Sequence, residues 1–116
     1  MLLLVSLSGG IGSILRYLVS RIGARVAPEL PLGTLAVNWT GSLLTGLLGG
    51  ALASHLPGPT RTVLVTGLLG GFTTFSTFTY ETAGLMEERE LPWAALNFAL
   101  SVLGGFAFAV LGAAIA

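Results

Sequence analysis

Four apolar runs, each about as long as a bilayer is thick, make up nearly all of this chain and leave few folds open to it. Met1 to about Gly23 is apolar apart from Arg16 and Arg21, and the polar connection ARVAPELP follows. A second run, Leu32 to about Ala53, ends at SHLPGPTR. The third, Thr62 to about Met86, is apolar with interspersed hydroxyls and closes at EERE; the fourth runs from Leu91 to Ala116. About 20 residues of helix cross a hydrocarbon core of about 30 Å, so each run is long enough to span. Only 9% of the 116 residues are charged, against about 25% in soluble domains. The expectation is an all-α membrane protein, one domain over residues 1–116. Its helices are expected at about 2–23, 32–53, 62–86 and 91–115, with a break in the third near 70–74 and both termini on one side of the bilayer.

Several function classes fall away at once. Formal net charge is zero, and five arginines without a lysine cannot build a basic stripe for nucleic acid. There is no cysteine, hence no disulfide framework or thiolate metal site. His55 stands alone beside a proline-rich turn and the carboxylates gather mainly in one connection, so no nucleophile–base pair forms. The chain is not expected to be an enzyme. Arg16 interrupts the first run where a cleavable leader would still be apolar, so that run reads as a retained span. Arg21, Arg25 and Arg89 share one side against Arg61 and the amino terminus on the other. This bias is small under the positive-inside rule, and the chain is expected to insert in either orientation.

Small residues mark the helix contacts. The second run has Gly41, Thr45, Gly49 and Ser42, Gly46, Gly50 at spacing four. Gly9, Gly10 and Gly12 lie among serines in the first, and Gly104, Gly105 and Gly112 in the fourth. In lipid such faces let backbones approach closely. Four helices of this length enclose little interior, so a transport path is expected between two copies and not within one.

The segment GGFTTFSTF, residues 70–78, breaks the pattern. Two glycines weaken a helix by about 1 kcal/mol each relative to alanine, and threonine both competes for backbone hydrogen bonds and caps a new start. One half-helix should end near Gly70 and another begin near Thr74. Carbonyls freed in hydrocarbon cost several kcal/mol unless satisfied, and hard cations take oxygen ligands of that kind. Phe75 and Phe78 share a helix face. Their ring edges are electropositive and either pack or face an anion. Asn38 either donates to an anion or bonds a neighbouring helix, with Ser42 one turn on. Arg16 either snorkels to the interface or lends positive potential to a pore mouth, and Glu81 is expected at such a mouth.

GGIGSILRY, GTLAVNWTGSLLTG and GLLGGFTTFSTF, in this order and one per helix, resemble the three signature segments of the fluoride channels called Fluc or CrcB. The resemblance covers nearly the whole chain. It implies an antiparallel, dual-topology dimer in the bacterial inner membrane that lets fluoride leave the cytoplasm passively and so relieves fluoride toxicity. It also implies a structural sodium ion at the dimer centre, not transported, held by the main-chain oxygens of Gly70 and Thr73. The pore residues it implies are Phe75, Phe78 and Asn38, with Ser42, Thr74 and Thr77 along the path and Arg16 at the family arginine. In the fourth helix, Gly105 and Ala109 stand where the family usually has hydroxyls; Ser101 is the one hydroxyl there, with Asn97 a turn earlier. The partner is therefore a second copy or a similar, non-identical subunit that supplies those hydroxyls. A small multidrug-resistance-type proton-coupled exporter is the alternative of similar size, but it needs a carboxylate in the first helix, where this chain has only arginines as charged side chains.

Overall fold

The computed structural model describes residues 1–116, the side chain of Ala51 excepted. All regular structure among the described residues is helical. Helix α1 spans Leu2–Val26 and α2 spans Leu32–Gly49, followed by a 3₁₀ turn over Ala51–His55. The third segment is composite: α3 (Gly58–Arg61), a π-helix (Thr62–Leu69), α4 (Gly70–Phe72) and, after two extended residues, α5 (Phe75–Glu87). Helix α6 spans Leu91–Ile115.

The burial pattern is inverted relative to a protein in water. Leu35, Val37, Leu69, Phe78 and Ala94 form the small apolar interior, while Leu2, Leu3, Leu103 and Phe106 are each at least 69% exposed. An apolar surface this extensive calls for a solvent of lipid. Three helical runs, Leu2–Val26, Gly58–Glu87 and Leu91–Ile115, are long and apolar enough to cross a membrane. The second run, α2, is the shortest and most polar of the four. That helix is 18 residues long and carries Thr34, Asn38, Thr40, Ser42 and Thr45. It is the inner helix, packed against both α1 and α6, with Gly33, Thr34, Leu35, Val37 and Gly41 buried. Its composition answers to neighbouring helices more than to lipid.

Backbones touch at the small residues. A Cβ on Gly46 would strike the Ala109 carbonyl of α6, and one on Gly112 would strike the Leu43 carbonyl of α2, so these two glycines interlock the same pair of helices. A Cβ on Gly10 or Gly49, both read as packing residues from their spacing, would meet nothing within 4 Å inside the protomer. Trp39 adds a directional tie: its indole Nε1 donates to the Leu100 carbonyl at 2.8 Å and its ring lies against Phe108.

The α1 face meets the third segment where that segment is a π-helix. The Ser8 hydroxyl lies there 3.1 Å from the Val63 carbonyl and 3.1 Å from the Val5 carbonyl of its own helix, one hydrogen facing two acceptors; a side chain reaching in this way accompanies departures from α geometry. The sequence predicts a plain helix over this stretch, because an intrusion from another element leaves no local periodicity. At the other end, α5 closes with Glu90 N–H on Leu85 carbonyl (2.8 Å) and Arg89 N–H on Met86 carbonyl (3.1 Å). Arg89 takes φ 59° at the left-handed position where glycine is usual.

Candidate functional site

The helical ladder of the third segment stops at two threonines. Thr73 (φ −86°, ψ 159°) and Thr74 (φ −154°, ψ 121°) are extended. Gly70 and Gly71 are helical, which moves the end of the first half from the expected Gly70 to Phe72. Neither glycine needs a positive φ. Gly71 is required by proximity, since a Cβ there would run into the Gly9 carbonyl of α1. Gly71 thus serves helix contact, a Cβ on Gly70 would meet only the Val65 carbonyl of its own segment at 3.7 Å, and the threonines carry the extended turn.

Most polar groups of that turn have partners within the protomer. Thr73 N–H and Oγ1 both donate to the Leu69 carbonyl, at 3.0 and 2.9 Å. Thr74 caps α5, its hydroxyl accepting the Thr77 N–H at 3.1 Å. Asn38 grips Thr74 from α2 with both ends of its amide: Nδ2 donates to the Thr74 carbonyl and Oδ1 accepts the Thr74 N–H, each at 2.8 Å. The amide reads first as a clamp between helices, with its second N–H left for another acceptor. In an unbroken helix the Thr74 and Thr77 amides would close onto the carbonyls of Gly70 and Thr73. Here they are spent on Asn38 and on Thr74 itself, so those two carbonyls lose their helical donors. The Gly71 carbonyl accepts Arg16 Nε at 3.2 Å and the Ser13 hydroxyl at 3.4 Å.

An open groove of about 590 Å³ runs along this turn. It gathers Asn38, Ser42, Thr74, Phe75 and Phe78, singled out from sequence for the path, with Thr73, singled out for its main-chain oxygen, and Ser101, the hydroxyl of the fourth helix, and adds Thr45. No charged side chain lines it. Thr45 was legible only as part of a small-residue face, because its spacing suits packing and a polar wall equally. On the α6 side Gly105 and Ala109 face the groove, leaving Ser101 as that wall's hydroxyl.

The two phenylalanines differ. Phe78 is 4% exposed and Phe75 is 76% exposed, with their rings edge to face at 5.7 Å. Phe78 also leans on Phe98 of α6 at 6.2 Å. Hydroxyls, one spare amide N–H and positive ring edges give the groove donors for a small anion without a cation to trap it.

Other candidates fall outside the groove. Thr77 lends its N–H to the Thr74 cap. Arg16 sits behind the turn on the Gly71 carbonyl. Glu81 lines a separate cavity of about 250 Å³ with Thr34, Glu29 and Glu88, and its Oε1 is buried without a hydrogen-bond partner.

Residues 3–113 match the model of the family described as CrcB-like protein, Camphor Resistance (CrcB). A protein of Syntrophotalea carbinolica named Fluoride-specific ion channel FluC is 45% identical over 114 residues, covering 96% of this chain and 93% of its own length. Fluoride-specific ion channel FluC 2 of Mycobacterium bovis is 46% identical over 109 residues, 93% of this chain and 84% of that protein. A Hydrogenobaculum protein of the first name is 41% identical over 112 residues, 95% of this chain and 92% of its own. With the model matched almost end to end and relatives aligned along nearly their whole lengths, this chain belongs to the CrcB family.

Proposed function

We propose that this chain is a subunit of a passive, fluoride-selective channel of the bacterial inner membrane, and that the groove at the Thr73–Thr74 turn is half of its pore. The observation that carries the reading is the groove itself: uncharged, lined by hydroxyls and by Phe75 and Phe78, and open along one side of the protomer. The names of the relatives agree with it. The family is one of channels and the chain is not an enzyme.

Two copies in opposite orientations would close the groove, the partner covering the exposed face of Phe75. A fluoride ion entering it sheds much of its water. Hydroxyls of Ser42, Thr45 and Thr74 and the second N–H of Asn38 replace part of that shell. The edges of Phe75 and Phe78 stabilise the ion at the narrowest point, where a fixed cation would hold it too long to conduct. Flow through such a pore follows the fluoride gradient, outward when the cytoplasm holds the excess, and no energy source is needed.

A structural sodium ion fits the donor set. The Gly70 and Thr73 carbonyls have lost their helical donors, and peptide oxygens are what a hard cation prefers. Bound there, sodium would tie two protomers together by charge; the Arg16 guanidinium on the intervening Gly71 carbonyl holds that peptide out of the donor set.

Replacing Phe78 or Phe75 by isoleucine should abolish fluoride efflux from liposomes loaded with sodium fluoride, while the protein elutes unchanged from size exclusion. Efflux at the wild-type rate in both variants would end the aromatic-edge reading.

A further inference from the structure

We infer that Asn97 is a positioning residue for Phe78, acting through the Thr82 hydroxyl. Asn97 is 7% exposed and is a buried polar residue of the largely apolar α6, where Ser101 is the one hydroxyl. Its Nδ2 donates to Thr82 Oγ1 at 2.8 Å, and Thr82 Oγ1 donates in turn to the Phe78 carbonyl at 2.8 Å. The direction of this relay follows from proton counting. A hydroxyl has one hydrogen, which goes to the carbonyl, so its oxygen must accept from the amide.

Three features make the relay more than a buried polar pair. It ends on the backbone of the buried one of the two pore-candidate rings. The residue after Asn97 is Phe98, whose ring leans on that of Phe78 at 6.2 Å; adjacent residues of α6 thus hold both the carbonyl and the ring of Phe78. Finally, α5 has only 13 residues and starts at a break, so it inherits no rigidity from the half preceding it. Asn38 pins its first turn through Thr74, and Asn97 pins it at the Phe78 carbonyl. A threonine bonded back to the carbonyl four residues earlier tends to bend a helix. The amide from α6 selects that rotamer and so fixes the Phe78 peptide and the ring it carries.

The inference rests on reading Phe78 as a pore residue, and its test separates the two. Three variants are compared with the wild-type chain: Asn97→Leu, Thr82→Val and Thr82→Ser. Thr82→Val keeps the shape and removes the hydroxyl, whereas Thr82→Ser removes the methyl and keeps it. One readout is fluoride efflux from liposomes. The other, independent of conduction, is the ¹⁹F NMR signal of 4-fluorophenylalanine placed at position 78 in the purified protein.

Asn97→Leu and Thr82→Val are expected to shift that signal and to slow efflux roughly tenfold, the scale of one lost hydrogen bond. The double variant should be no worse than either single one. Thr82→Ser should match the wild type in both readouts. A signal unmoved in Thr82→Val, or moved equally in Thr82→Ser, overturns the relay even if the wild type conducts fluoride. Failure of the wild type to conduct counts against the channel reading, and the NMR comparison still decides the relay.

Discussion

At the scale of single residues, identity and role come apart most clearly at the glycines. Gly71 and Gly10 are both helical and both weaken a helix by about 1 kcal/mol relative to alanine. A Cβ at Gly71 would meet the Gly9 carbonyl, while one at Gly10 would meet nothing within 4 Å. Gly71→Ala is therefore expected to destabilise the protein by about 1–3 kcal/mol, the usual cost of overpacking. Gly10→Ala should leave stability unchanged or slightly raised. Thermal unfolding in detergent followed by tryptophan fluorescence checks both, and equal melting temperatures would refute the contact. Asn38 shows the same separation: two roles fit its type, and only the position of the Thr74 peptide makes it a clamp. The motif letters of GGFTTFSTF were legible; the division of labour within them was not, because it depends on which backbone lies opposite each letter.

Among the elements, α6 contributes the least polar wall to the groove. Ser101 is its hydroxyl there, and the next two positions facing inward one turn apart are Gly105 and Ala109. Gly105 has room: an added Cβ would sit 3.7 Å from Ser42 Oγ, ordinary van der Waals contact. Gly105→Ser should thus fold normally, gain a little helix propensity and add a donor beside Ser42. The expected outcome is faster fluoride efflux at equal protein loading. A slower rate would mean that a donor at this position binds fluoride too tightly or blocks the partner. The third segment could be placed from its apolar run, yet its π turn could not, since Ser8 reaches it from more than fifty residues away. The α2 helix was placed by the same kind of reasoning, and its polarity makes sense only once it lies between α1 and α6.

For the whole molecule, the protomer leaves unfinished the parts on which the proposed function depends. Phe75 projects from it, the groove opens sideways, and one protomer offers only the Gly70 and Thr73 carbonyls to the proposed cation. An opposed second copy would complete all three. The purified single chain is expected to run at twice the protomer mass in detergent and to conduct fluoride in liposomes. Replacing sodium by a large organic cation during preparation should lower both dimer content and efflux. A monomer that conducts would refute the two-copy pore. A chain that is silent alone and active with a similar subunit would replace the homodimer by a pair and assign the missing α6 hydroxyls to the partner.

Membrane residence, helix number and family membership follow from the order of residues alone, because lipid selects apolar runs by length and composition without regard to what they pack against. Which glycines touch, where the third segment becomes extended, how Arg16 and Asn38 are occupied, and which phenylalanine is buried were decided by the packing of helices distant in sequence. Hydrogen bonds and backbone contacts of that kind are set by the element opposite, and no local pattern records it.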